Sequence, residues 1–222
     1  MQADSRPVSS NQSGVNPELP ATVNKHRCTT WRKPHAEHNL QAFSCLSEWL
    51  SGNQQPLILD SFCGTGMSTQ ALAKAWPTHR VIGIDKSIHR LERHATSEQT
   101  GNYLLLQAEC EPLWQLMSEH CMCIDRHYLL YPNPWPKSRH LKRRIHGHPG
   151  LIPLYQLGGT IELRSNWQLY VEEFGLALHL LGCRGTISQL SVGNALTLFE
   201  AKYAKSGHTL WRFKGQIPKQ PI

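Results

Sequence analysis

The chain is predicted to fold as an α/β domain, a largely parallel sheet covered by helices on both faces. Three observations carry this. Short apolar runs of strand length alternate along the chain with stretches whose apolar residues recur at helical spacing. The first two strands end in Asp60 and Asp85, and the first leads straight into a glycine-bearing turn, Gly64-Thr65-Gly66. The length of 222 residues, 40% of them apolar, suffices for one sizeable core.

The elements follow in order. Residues 1–34 are rich in Ser, Asn, Gln and Pro and poor in apolar periodicity, so a flexible polar arm is expected ahead of a single domain over 35–222. Helical spacing begins after Pro34, with Leu40, Phe43, Leu46, Trp49 and Leu50 on one face, and ends at Ser51-Gly52-Asn53. Pro56 to Asp60 reads as a buried strand, followed by a helix bearing Ala71, Leu72, Ala75 and Trp76. Arg80 to Asp85 is the second strand. Ser87 is a candidate N-cap for a helix with Ile88, Leu91 and Ala95. Tyr103 to Leu106 is the third strand, and Glu111-Pro112-Leu113 opens a helix with proline at a tolerated early position. The fourth strand lies within Cys121 to Tyr131. A short helix over Leu151 to Leu157 ends at Gly158-Gly159. Strands at 160–163, 186–190 and 208–213 alternate with helices at 167–181 and 196–204.

Composition limits the partners. The net charge of +7 is clustered, which favours a polyanion, and nucleic acid over membrane. No apolar run approaches the ~18 residues of a spanning helix and no signal-peptide core is evident, so a cytoplasmic protein is expected. Seven cysteines without framework spacing read as reduced thiols. Cys121-Met122-Cys123 and His146-Gly147-His148 lack a matching second pair, so no metal is expected.

The densest chemistry lies at the end of the fourth strand. Pro132, Pro134 and Pro136 forbid both helix and central strand, so the chain must leave the sheet in a stiff extended loop carrying Asn133 and Trp135. From Arg126 to His148 there are six Lys or Arg, four His and no Asp or Glu. This pattern suits a base-reading pocket beside a phosphate-gripping surface; the plainer reading is a proline-punctuated turn and a solvated basic face. Trp135 fits either a stacking surface for a base or a core residue that packs the loop. Asn133 fits either a polar contact or a turn-former.

In such folds ligands bind beyond the C-terminal ends of the strands. Gly64 and Gly66 let the backbone approach a ligand, and Asp85, 19 positions after Gly66, suits a ribose's two hydroxyls. A dinucleotide site would need G-x-G-x-x-G, whereas this turn is acidic at its entrance and hostile to phosphate. S-adenosylmethionine has an amino group, a sulfonium and a ribose but no phosphate, and fits Asp60 and Asp85 better. Phe62 occupies a position where methyltransferase turns usually carry glycine, and a left-handed backbone there is costly for Phe.

These residues resemble the bacterial tRNA (guanine-N7)-methyltransferase family over roughly residues 56–214. The most specific likeness is Tyr131-Pro132-Asn133-Pro134-Trp135-Pro136-Lys137-Ser138-Arg139-His140-Leu141-Lys142-Arg143-Arg144, close to the family's F-P-D-P-W-x-K-x-R-H-x-K-R-R. Arg164-Ser165-Asn166-Trp167 falls where the family has a T-D pair, and Thr197-Leu198-Phe199-Glu200 is similar to its T-x-F-E. The resemblance implies a Rossmann-like class I methyltransferase fold with a seven-stranded, mostly parallel sheet, in one domain. It implies S-adenosyl-L-methionine as cofactor, held by Asp60, Gly64, Thr65, Gly66, Asp85, Lys86, Glu109 and Asn133. Lys137, Asn166, Thr197 and Glu200 would hold the target guanine, with Asn133 and Glu200 closest to the chemistry. Arg139, His140, Lys142, Arg143 and Arg144 would contact RNA phosphates. The partner would be tRNA, the target guanine 46 of its variable loop. The sequence does not fix the oligomeric state; a monomer is favoured.

Two departures stand out. Asn133 and Asn166 replace family aspartates, and both remove a negative charge. Guanine N7 offers a lone pair and no proton, so the reaction needs positioning and stabilisation of developing positive charge, not a general base. Losing two carboxylates weakens that stabilisation and leaves Glu200 as the remaining acid. Two alternatives therefore stand beside the family activity: a methyltransferase with an altered RNA or amino-group target, and an RNA-binding relic without turnover.

Overall fold

The computed structural model describes residues 5–31, 33–93, 101–191 and 193–218. Seven strands form one sheet: β1 (Leu57–Ser61), β2 (Arg80–Asp85), β3 (Tyr103–Gln107), β4 (Arg126–Leu130), β5 (Gly159–Ser165), β6 (Arg184–Gln189) and β7 (Trp211–Ile217). Their order is β3-β2-β1-β4-β5-β7-β6. β7 runs antiparallel to β5 and β6, and the other pairs are parallel. The helices are α1 (Leu19–Arg27), α2 (Glu37–Trp49), α3 (Met67–Ala75), α4 (Ile88–Leu91), α5 (Cys110–Glu119), α6 (Leu151–Gln156), α7 (Gln168–Leu180) and α8 (Leu198–Lys205). Two 3-10 segments, Ser138–Arg143 and Ile145–Gly147, follow β4.

Every residue of β1 is buried, as a central parallel strand covered on both faces requires. Leu59, Ile82, Ile84, Leu129, Ile161 and Leu163 share one core with Trp114, Tyr170 and Phe174, while Ile58, Val81, Tyr128 and Leu130 belong to a second, smaller core with Leu72 and Ala73. The β2 strand lies where the sequence predicts it. The last strand lies further on, at 211–217 instead of 208–213. Its buried positions are Phe213, Gly215 and Ile217, alternating with exposed Lys214 and Gln216. A glycine fills the middle apolar position, because a Cβ on Gly215 would lie 2.8 Å from the Phe213 ring and 3.0 Å from the Arg184 carbonyl.

Two other expectations are corrected. The α2 helix turns Asn39, Ala42 and Leu46 inward and leaves Leu40 41% exposed. Asn39 is drawn in by Glu109, whose backbone N–H donates to Asn39 Oδ1 at 3.0 Å. The N-terminal arm is not loosely attached over its described part. Leu19 and Val23 are fully buried at (i, i+4) spacing on α1, and His26 Nε2 lies 3.1 Å from the carbonyl of Gly147. Two apolar residues in an otherwise polar stretch gave too little periodicity to announce a helix. Ser87 stands at the start of α4 without a side-chain cap; Ala95, expected on that helix, lies outside the described residues. All seven cysteines are free. No helix among the described residues is long and apolar enough to cross a membrane.

Candidate methyl-transfer site

Parallel register puts the functional ends on one edge. Asp60 of β1 lies beside Gly83 of β2 and Tyr128 of β4, Ser61 lies beside Leu129, and Asp85 beside Gln107 of β3. The strand order reverses between β1 and β4, so the turn after β1 and the loop after β4 flank the crevice where such sheets bind ligands.

On the β1 side the acids are held by the chain itself. Asp60 is fully buried, and its Oδ2 accepts from Ser68 Oγ at 2.6 Å and Thr69 Oγ1 at 2.7 Å. Asp60 Oδ1 is buried without a hydrogen-bond partner among the described residues. Burial pushes the carboxyl up to about 6, against the pull of the two hydroxyls and with a smaller push from Asp85. Asp85 accepts from the Gly64 N–H at 3.0 Å and the Ser87 N–H at 2.8 Å, and pairs with Arg90 at 3.3 Å. Glu109 accepts from Lys33 Nζ at 3.2 Å and Asn39 Nδ2 at 3.4 Å. Partial burial raises its pKa, but Lys33 and Asn39 more than offset this and hold it below the ordinary value. Lys86 is exposed, Thr65 half-buried, and Gly66 takes φ +76° at the start of α3.

These residues fit a cationic, phosphate-free cofactor. An orphaned buried carboxylate oxygen calls for a donor or positive charge. Open space stands where a Cβ on Gly64 would be. The ribose role expected of Asp85 fits less well, because its oxygens already serve Gly64, Ser87 and Arg90. Phe62 does adopt the left-handed backbone, φ +62°, and its half-buried ring packs edge-on to Trp114 at 5.7 Å.

On the β4 side, Tyr131 (φ +55°) and Trp135 (φ +45°) are also left-handed, an unusual state for aromatic residues. Phe62, Tyr131 and Trp135 thus place backbone strain on both walls of the crevice. Asn133 is exposed, and its Oδ1 accepts from the Trp135 N–H at 3.3 Å, the local bond of a turn-former. Trp135 is half-buried, with the Arg143 guanidinium 4.8 Å above its ring and His140 at its edge, 5.7 Å away. It is neither core nor a bare stacking platform. Lys137, Arg139, Lys142 and Arg143 are exposed. His140 is half-buried; partial desolvation and the cations Arg143, Arg139, Lys137 and Arg144 keep it neutral more readily than usual.

Arg144 is the clear correction. It is 0% exposed and unavailable to a phosphate. Its Nη1 pairs with Glu173 at 2.5 Å, Nε donates to the Trp135 carbonyl at 3.2 Å, and Nη2 to the Lys137 carbonyl at 3.2 Å. Burial tends to raise Glu173, but His146 and Arg144 with the Asn16 N–H pull it down to about 2. Sequence reasoning missed Glu173, although an acid between Val171 and Phe174 on a helix's buried face was the visible signal.

On the far side, Asn166 Nδ2 lies 3.1 Å from His208 Nδ1. Thr197 caps α8 by accepting from the Glu200 N–H at 3.0 Å, while Glu200 Oε2 accepts from the Leu196 N–H at 3.3 Å. Glu200 is buried and its Oε1 accepts from Arg164 at 2.8 Å. The T-L-F-E segment is therefore a helix-capping arrangement first. It leaves Leu198 and Phe199 exposed at the helix start.

A seven-stranded sheet in this order, with a cation-seeking acidic turn opposite a proline-braced loop, defines a Rossmann-like methyltransferase. More particularly, residues 54–213 match the family described as "Putative methyltransferase", that of the tRNA guanine-N7 methyltransferases, and the chain belongs to it as a divergent member. The family's methyl donor is S-adenosylmethionine. Solved structures share the fold at low identity. An antibiotic-related methyltransferase is 18% identical with a TM-score of 0.60, over 84% of this chain and 97% of that one. The 16S rRNA methyltransferase KamB is 16% identical with a TM-score of 0.60, over 83% and 95%. A mutant 16S rRNA (adenine(1408)-N(1))-methyltransferase with cosubstrate SAM, from Catenulisporales acidiphilia, is 15% identical with a TM-score of 0.55, over 79% and 93%.

Proposed function

We propose that the protein methylates RNA, with N7 of guanine 46 in the tRNA variable loop as its target. The observation that carries this is the loop after β4. It leaves the sheet beside the glycine turn of β1 and runs directly into exposed Arg139, Lys142 and Arg143. A base entering the crevice would leave its phosphates at that basic face. The similar rRNA methyltransferases support an RNA substrate at the level of fold.

When bound, S-adenosylmethionine supplies an electrophilic methyl on a sulfonium. Asp60 would hold the cofactor's positive end with its free Oδ1, the Gly64–Gly66 turn would let it approach, and Glu109 and Lys86 would line the far side. The acceptor N7 carries a lone pair and no proton, so no residue is required as base. The loop must aim the purine. Asn133 and Lys137 present side chains from the loop, and Asn166 and Thr197 from across the crevice. Glu200, with Arg164 bound to it, supplies weak negative potential where charge develops. We expect slower chemistry than with the family's two aspartates.

The test is incubation with labelled cofactor and unmodified tRNA, followed by nucleoside mass spectrometry. Label in 7-methylguanosine is expected. No label, where a family member succeeds in the same assay, refutes the reading; label in another nucleoside redirects it to an altered target. A second reading, RNA binding without turnover, is favoured by the occupation of Asp85 by Arg90 and two backbone amides. Calorimetry with S-adenosylmethionine separates the two, since micromolar binding contradicts a relic. The sequence also leaves a cytoplasmic, monomeric enzyme working without a metal as part of the proposal. Size-exclusion chromatography with light scattering tests the oligomeric part.

A further inference from the structure

We infer that residues 10–16 and Glu173 are positioning elements for the loop at 131–138: Ser10, Asn11 and Asn16 hold its backbone directly, and Gln12 and Glu173 act through the buried guanidinium of Arg144. The inference rests on reading that loop as the part of the site that aims the target. Its ground is a run of four consecutive carbonyls, each taken by a side-chain donor from elsewhere in the chain. Arg144 takes those of Trp135 and Lys137, both at 3.2 Å. Ser10 Oγ donates to the carbonyl of Pro136 at 2.6 Å, and Asn16 Nδ2 to that of Ser138 at 3.1 Å. The Ser138 N–H in turn donates to Asn11 Oδ1 at 3.0 Å.

The prolines make this support necessary. Three of the five residues from 132 to 136 lack an N–H, so the segment can form little backbone ladder of its own. Its carbonyls need outside donors, and a planar guanidinium reaches two at once. A buried guanidinium needs a counter-charge, and Glu173 supplies it. Residues 10–16, a strap over the loop, then close the circuit. Glu173 Oε1 accepts from Gln12 Nε2 at 2.5 Å and from the Asn16 N–H at 2.8 Å, and Gln12 Oε1 accepts from Arg144 Nη2 at 3.0 Å. His146 Nε2 lies 2.9 Å from Glu173 Oε2. One polar hub therefore ties together the strap, α7 and the loop.

Hydrogen–deuterium exchange with mass spectrometry tests this on the full chain, comparing wild type with Ser10→Ala, Gln12→Ala, Asn16→Ala in combination. Exchange across 131–141 should accelerate about tenfold or more, while the peptide over 57–69 stays within about twofold. Should the triple variant fail to fold, Ser10→Ala with Asn11→Ala at the outer end of the strap serves, with cleavage by trypsin after Lys137 and Arg139 as the readout. In tRNA methylation, kcat per folded molecule, with the folded fraction measured separately by circular dichroism, should fall about tenfold while the cofactor KM stays within about twofold. Unchanged loop exchange, or equal acceleration of both peptides, overturns the inference. If the wild type methylates no RNA, the proposed reaction falls, while the exchange result still decides the role of the strap.

Discussion

The turn after β1 and the loop after β4 leave neighbouring strands at the same edge of the sheet, and both bend through left-handed aromatic residues. They are held in opposite ways. The turn is held by anions, with Asp60 and Asp85 collecting hydroxyls and amides from residues 64–90. The loop is held by a cation, with Arg144 collecting carbonyls and Glu173 balancing it. Proline explains the difference. A segment with its N–H groups intact can be gripped by carboxylates, whereas a proline-rich one offers mainly carbonyls and must be gripped by donors. The acids of the turn find their partners within residues 64–90, whereas the loop recruits its own from the N-terminal strap and α7.

The largest effect should come from breaking the cationic hub. Glu173→Ala leaves a buried unpaired guanidinium and should cost about 3–5 kcal/mol in urea unfolding, whereas Arg143→Ala, one residue from Arg144, should cost less than about 1 kcal/mol. Equal costs would end the contrast between these neighbours.

The two regions should also respond to acid with opposite sign. His127, buried on the strand that feeds the loop, is pushed down to about 4 by burial despite its bond to the Gly158 carbonyl. The unfolded chain protonates it first, so stability is full above about pH 6.5 and falls as pH drops toward 4, by about 2–4 kcal/mol. Asp60 is raised, so the folded state takes up its proton first and the turn gains stability as pH falls through about 6. Thermal melts of wild type and His127→Gln measure this; the variant should lose less stability between pH 6.5 and 4.

Cofactor affinity should fall about tenfold or more in Asp60→Asn, and the wild type should bind more weakly below pH 6 while the variant stays flat. Calorimetry across pH checks both, and an unaffected variant would remove the anionic turn from the cofactor site. Replacing Arg139, Lys142 and Arg143 by Ala should flatten the logarithmic salt dependence of tRNA binding by about 2. The smallest effect is Thr197→Ala, about 1 kcal/mol from the lost cap, with Thr197→Ser recovering most of it. Lost activity without lost stability there would favour contact with the target over capping.

The local rules of the chain determined the alternation of elements, the Arg80–Asp85 strand, the placing of Asp60 and Asp85 at strand ends, and the stiffness of a loop with three prolines. Each follows from backbone sterics and apolar spacing over a few residues, which sequence carries directly. The strain at Phe62 was readable too, since only the side chain's identity was needed to see it. What only the tertiary structure decided is which polar groups are buried and who satisfies them. Arg143 and Arg144 are chemically identical neighbours, yet one lies on Trp135 in solvent and the other is sealed against Glu173, 29 positions away. Thr197 and Glu200 turned inward to cap α8, and a polar arm that looked unattached became the strap over the loop. A buried charge or carbonyl is stable only beside a partner, and the partners here come from parts of the chain that folding alone brings together.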